Sequence, residues 1–229
     1  MKEFLTIIGI FIALFFTYHL VWFLIFKRTF KPVLMYHRIT DEEKPIDIRY
    51  QIHKGKPLNL DSMKVRPSEF ESQLKYLKQK GFITPSLRED LFKIKDKAVY
   101  MTFDDGYVDN YTNAFPRLQK YDFKGIFYIT AGLIENGFMP IDQNDQQVSN
   151  RLMNHEELNI LNRAGMQIGS HSMTHPWLND IGIDLNIEIV QSKLILEEKL
   201  GIKIDTFAYP GGLYDNEVLN LVKNIIKRP

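Results

Sequence analysis

No cysteine occurs among the 229 residues. That absence excludes a disulfide framework and thiolate metal ligands, and it is compatible with any redox compartment. An excess of charge of one sign is also lacking. The chain carries 29 basic and 28 acidic side chains, a formal net charge of +1, so nothing in the balance points to nucleic acid as a partner. Internal repeats and low-complexity tracts are absent too. What is there is a composition 45% hydrophobic and 25% charged, which suits one globular domain with a sizeable core plus an accessory segment.

The accessory segment stands at the start. Phe4 to Phe26 is a run of 23 residues without a formal charge, and as a helix it would be roughly 34 Å long, enough to cross a bilayer core. No small-residue cleavage signature follows Trp22-Phe-Leu-Ile-Phe26, so residues 1–31 are expected to be an uncleaved membrane anchor and its flank. His19 inside the run reads as interfacial or incidental. Lys27, Arg28 and Lys31 outnumber Lys2, and this bias alone would leave the following domain on the cytoplasmic side. Without residues 1–31 the chain keeps 25 basic and 27 acidic groups, an ordinary soluble surface.

The rest, residues 32–229, alternates short apolar runs with helical periods. Pro32-Val-Leu-Met-Tyr-His37 is a brief strand ending in a histidine. Residues 41 to 66 are polar and without period, hence a long loop. Ser68-Glu-Phe-Glu71 has the form of a capping box, with Phe70, Leu74 and Leu77 as the apolar face and Gly81 as the stop. A short strand at Phe82-Ile83 and a brief helix from Thr84 to about Phe92 follow. Ala98 to Phe103 is a buried strand, 110 to 121 a helix that must accommodate Pro116, and Gly125 to Thr130 another buried strand. A polar insertion, 133 to 152, precedes a helix capped by Asn154 and Glu157. Next come a strand at Met166 to Ser170, a helix from Asn186 to Leu200, a strand at Ile204 to Ala208, and a last helix capped by Asp215. Such alternation predicts an α/β fold with a largely parallel sheet, open or closed toward a barrel.

Two stretches carry chemistry. In Tyr100-Met-Thr-Phe-Asp-Asp-Gly-Tyr107 a turn at Gly106 leaves Asp104 and Asp105 at the C-terminal end of a strand, where parallel sheets place their active groups. Neighbouring residues on an extended backbone point in opposite directions, so the two carboxylates can do different work. A solvated Asp-Gly turn is the plain alternative. In Met166-Gln-Ile-Gly-Ser-His-Ser-Met-Thr-His-Pro-Trp177 a second strand ends in His171 and His175, whose spacing lets two imidazoles converge on one ion. Joined by a carboxylate from a neighbouring strand, they form a two-histidine, one-carboxylate set with open positions.

With Phe207-Ala-Tyr-Pro-Gly-Gly212 as a third motif, the chain from about Pro32 onward resembles the polysaccharide deacetylases that share the NodB homology domain (carbohydrate esterase family 4). Val33-Leu-Met-Tyr-His-Arg38 and Phe70-Glu-Ser-Gln73 look most like the branch acting on poly-N-acetylglucosamine, in which the acid histidine lies near the N-terminus. The resemblance implies a distorted (β/α) barrel and a hydrolase removing N-acetyl groups from an amino-sugar polymer at the cell surface, with the domain extracellular. It implies a divalent metal, usually zinc, on Asp105, His171 and His175, with Asp104 as base and His37 as acid. Tyr107, Tyr209, Pro210 and Gly211 fall where substrate binds, and Trp177 is a further stacking candidate. Partners expected are an acetylated glycan and, through the N-terminal helix, a membrane, but no nucleic acid. The sequence departs from the family pattern twice. Ala208 stands where many members have an arginine that steadies the base, and the chain ends before the strands that complete the barrel. A C-terminally shortened, weakly active or inactive member, serving as a membrane-anchored glycan binder or scaffold, is therefore the alternative.

Overall fold

The computed structural model describes residues 2–29, 31–41, 52–53, 56–57, 63–87, 94, 97–134, 137 and 151–226. Helix α1 spans Lys2–Thr29. Among the described residues no helix is long and apolar enough to cross a membrane. The expected single-pass anchor and cell-membrane placement are corrected accordingly.

Strands β1 (Val33–Tyr36) and β2 (Arg38–Ile39) follow, then β3 (Ile52–His53), β4 (Lys56–Pro57) and β5 (Lys64–Val65). The expected loop from 41 to 66 thus holds an antiparallel β3–β4 pair and a strand, β5, parallel to β2. Helix α2 (Pro67–Gln79) starts one residue ahead of the expected box. Pro67 takes the first turn, where its missing N–H is no loss, and Glu69 accepts the Arg66 N–H at 3.4 Å. Glu71 instead turns to Arg117, Lys120 and Tyr121. Phe70, Leu74 and Leu77 are buried as their period predicts.

Strand β6 (Phe82–Ile83) pairs with β7 (Lys97–Ala98). Residues 84 to 87 are not helical, and the remainder of the helix expected there lies outside the described residues. The single strand expected from 98 to 103 is broken at Val99, because the chain changes partner there. Val99 N–H donates to Ile83 and Tyr100 N–H to Pro32, both at 2.9 Å, so that β8 (Tyr100–Phe103) joins β1. Beyond it, residues Asn110–Ala114 form a π-helical turn leading into α3 (Phe115–Lys120), with Pro116 in its first turn. Strand β9 (Ile126–Ile129), α4 (His155–Arg163) and β10 (Gln167–Ser170) come next. A second π-helical turn, Asn186–Gln191, runs into α5 (Ser192–Leu200), and α6 (Asn216–Ile225) is capped by Asp215 as expected. Between them Phe207 makes one parallel bridge to Ser170.

The main sheet is wholly parallel, in the order β1-β8-β9-β10. Strands β8 and β9 are buried at all four positions, which explains their unbroken apolar sequences. The described strands give this four-stranded parallel sheet, as the α/β reading predicts, and closure into a barrel is not seen among them. Across one face runs a ladder of rings. Tyr36 stacks on Phe103 at 5.3 Å, Phe103 on Phe127 at 4.8 Å, and Phe70 of α2 meets Phe103 edge-on at 5.8 Å. Tyr36 pairs with Phe103 in the sheet register, and Phe103 with Phe127. Buried beside this ladder, the Tyr36 hydroxyl is pushed up to about 12 by desolvation and donates to Gln73 at 2.8 Å. The apolar stripe of α6 is covered: Val218 and Val222 pack with Leu178 and Ile189 in a smaller core.

Candidate metal centre

Every strand of the ladder delivers a polar residue one step past its last ring or aliphatic side chain. After Tyr36 comes His37, and after Phe103 come Asp104 and Asp105. Two hydrogen bonds at the strand ends fix the placement: Asp104 N–H to Tyr36 and His171 N–H to Ile129, both at 2.9 Å. The backbone then departs from ordinary conformations. Asp105 has φ 74°, Ser172 66° and His175 67°, left-handed values that cost side-chain-bearing residues of order 1–3 kcal/mol each. Gly106 continues the turn at φ 89°, and a Cβ there would lie 3.3 Å from Ile129.

These bends bring together Asp105, His171 and His175, whose ligand-type atoms all lie within 4.8 Å of one another. His171 Nε2 is 3.5 Å and His175 Nε2 3.3 Å from Asp105 Oδ1. That oxygen is buried and forms no well-made hydrogen bond. The two separations from Asp105 suit donors that would each reach a zinc-type ion at roughly 2.0–2.2 Å. The tautomer of one ring is set as well. His171 Nδ1 is 2.9 Å from the Ala208 carbonyl, which can only accept, so Nδ1 carries the proton and Nε2 presents its lone pair. The arginine-less position thus supports the site through its backbone. With a buried unpaired oxygen, two imidazole nitrogens and a locked tautomer, the residues fit a divalent ion, which Asp105, His171 and His175 would hold.

Electrostatics separates the two carboxylates. Burial pushes the Asp105 carboxyl up, but the facing imidazoles outweigh it and hold the group well below the usual carboxylate range. Burial alone would depress His171; Asp105 reverses this and raises it. Burial also pushes Asp104 up, and there the nearby His171 and His37 pull it back only in part. Asp104 Oδ1 is buried without a hydrogen bond, and no described arginine or lysine pairs with it.

Further residues, not evident in the sequence, hold these groups. Arg38 and Asp109 form an ion pair with both side chains 5% exposed. Asp109 also accepts the Ile39 N–H at 3.1 Å, while Asn110 and Asn113 donate to the carbonyls of His37 and Ile39 at 3.0 and 2.8 Å. The segment bearing His37 is thus fastened to the turn after Asp105. Arg38 also lies over the Tyr107 ring at 4.2 Å, so Tyr107 is buried with one face covered. Tyr209 is partly exposed, and its ring lies 4.7 Å from that of Tyr214. Pro210 is buried, and Gly211, at φ 61°, leaves room for Trp177, which a Cβ would approach to 3.2 Å. The N–H groups of Gly212 and Leu213 donate within this turn to the carbonyls of Tyr209 and Pro210, so both are already engaged.

Fold and donor set define a class: a parallel-sheet α/β protein with a two-histidine, one-aspartate site at the C-terminal edge of its sheet. The family model described as Polysaccharide deacetylase matches residues 93–226. The chain belongs to the polysaccharide deacetylase family. It is 27% identical over 195 residues to the protein YxkH of Bacillus subtilis (strain 168), the match covering 82% of this chain and 59% of that one. It is 26% identical over 218 residues to the poly-beta-1,6-N-acetyl-D-glucosamine N-deacetylase of Staphylococcus aureus (strain MRSA252), covering 86% and 70%. Among solved structures, BC0361, a polysaccharide deacetylase from Bacillus cereus, superposes with a TM-score of 0.67 at 26% identity, covering 86% of this chain and 55% of that one. The chain therefore spans somewhat over half the length of some of the relatives it matches.

Proposed function

We propose that this protein is a metal-dependent N-deacetylase of an acetylated amino-sugar polymer, poly-β-1,6-N-acetylglucosamine being the first substrate to try. The observation that carries the reading is the meeting of Asp105 with His171 and His175 beside a second, electrostatically distinct carboxylate. The substrate follows from the Staphylococcus aureus relative named above. When bound, a divalent ion supplies Lewis acidity toward an amide carbonyl and acidifies water.

The protein's own groups divide the proton transfers. Asp104, buried and unpaired, takes a proton from the attacking water, and its raised affinity for protons brings it nearer the neutral range in which a base works best. His37, at the end of the neighbouring strand β1, gives a proton to the departing amine. The clamp of Asp109, Asn110 and Asn113 holds the His37 backbone while this happens. Tyr209 offers an aromatic face to a sugar ring.

The test is acetate release from β-1,6-linked N-acetylglucosamine oligomers with added zinc or cobalt, native chain against Asp104→Asn. Loss of a placed general base is expected to lower the rate roughly 10²- to 10⁴-fold. Equal rates would remove the catalytic assignment. Oligomer binding without acetate release from the native chain would favour the glycan-binding alternative, for which the missing arginine beside Asp104 speaks.

A further inference from the structure

Glu188 is 7% exposed on the π-helical turn before α5, and no described basic side chain pairs with it. Its Oε2 accepts the N–H groups of Met173 and Thr174, each at 2.9 Å, and its Oε1 accepts the Thr174 hydroxyl at 2.7 Å. These are the two residues immediately before His175. Three neutral donors thus satisfy a carboxylate that would otherwise be costly to bury.

The loop it grips is otherwise held from the opposite side. Ala131 and Gly132 donate to the carbonyls of Ser172 and Met173 at 3.0 and 2.9 Å, and a Cβ on Gly132 would stand 2.8 Å from the Met173 oxygen. Inside the loop, Ser172 Oγ accepts the His175 N–H at 2.9 Å. Ser172 and His175 both have left-handed φ. The loop therefore folds against its conformational preference, and contacts on both sides must hold it there. Without Glu188, the amides of Met173 and Thr174 lose the acceptor that helps to keep His175 turned toward Asp105.

We infer that Glu188 is a positioning residue for the metal centre, setting metal affinity by clamping the loop between His171 and His175. The inference rests on reading Asp105, His171 and His175 as metal donors. Partners that orient ligands in this way are each worth about 10- to 100-fold in metal affinity.

The experiment titrates the full chain with Zn²⁺ or Co²⁺ against a chelator of known affinity and records the visible spectrum of the cobalt form, so that no turnover is needed. Glu188→Ala is expected to weaken binding about 10- to 100-fold and to change the cobalt spectrum. Glu188→Gln, which keeps an acceptor for the two amides, should recover most of both. If Glu188→Ala does not fold, Glu188→Asp decides: its carboxylate is one methylene too short to reach both amides, and its binding should be weakened about tenfold. A native chain that binds neither metal would overturn the reading of the donors themselves. A native chain that binds, with the foldable variant matching it in affinity and spectrum, would overturn the role of Glu188 alone.

Discussion

Replacing Asp109 by alanine should cost far more than the loss of one ion pair suggests. The Arg38 guanidinium would remain, 5% exposed and facing no anion in that direction, and the Ile39 N–H would lose its 3.1 Å acceptor. Breaking a buried pair by removing one partner costs about 3–5 kcal/mol, and an orphaned buried amide adds about 1–3 kcal/mol. Partial relaxation puts the expected total at about 4–6 kcal/mol, a large share of the 5–15 kcal/mol typical of a domain. In thermal unfolding this corresponds to a fall of roughly 10–20 °C for a chain of this size. The double variant Arg38→Met/Asp109→Leu removes both charges and fills the space with apolar groups, so it should regain most of that stability. Acetate release should fall in both, because the backbone carrying His37 loses its fastening. A loss under about 1 kcal/mol for Asp109→Ala, the size typical of a solvated pair, would refute the reasoning. So would a double variant no more stable than the single one.

Three other outcomes are expected. Phe103→Ala removes a fully buried ring that stacks on both Tyr36 and Phe127; it should destabilise by about 3–5 kcal/mol in urea unfolding, against about 1 kcal/mol for Phe103→Leu. Burial works against ionisation of Glu157, but Arg151 at 2.6 Å and the Asn154 N–H prevail and lower its pKa. Its contribution should be complete above the ordinary glutamate range and vanish as pH falls through the lower folded value, so native chain and Glu157→Gln should differ in melting temperature at pH 7 and converge in acid. Gly169→Ala places a Cβ 2.5 Å from both Thr206 Oγ1 and Tyr128 Cε1, and calorimetry should show a melting temperature clearly below that of the native chain.

Much of this was legible because the sequence carried it locally. The apolar runs before Asp104 and His171 had the length and residue types of buried strands, and each ended at a glycine or serine break where a parallel sheet presents its chemistry. The periods of α2 and α6 survived intact, since Phe70 and Val218 needed only a neighbour to cover them. Other features depended on partners distant in the chain. Nothing in Ala98-Val-Tyr100 signals that the strand leaves β6 for β1 at Val99. Glu188 read as one more acid in the helix expected from Asn186 to Leu200, because a 3.6-residue period has no place for a π turn, which shifts the faces that follow it. Asp109 is fixed by Arg38, which comes from another strand and cannot be paired with it from local sequence.

The order β1-β8-β9-β10 has a consequence for assembly. The proposed groups come from three of the four strands: His37 follows β1, Asp104 and Asp105 follow β8, and His171 and His175 follow β10. Side chains alternate between the two faces of a sheet, so a slip of one residue in any of these pairings would turn its contribution away from the others. The stacked rings of Tyr36, Phe103 and Phe127 oppose such a slip on three strands, and the Ala208 carbonyl secures the fourth through His171. Ion capture would then act as a proofreading step for chain alignment, available only to molecules in which residues 105, 171 and 175, delivered by two strands that are not neighbours, have reached their final places.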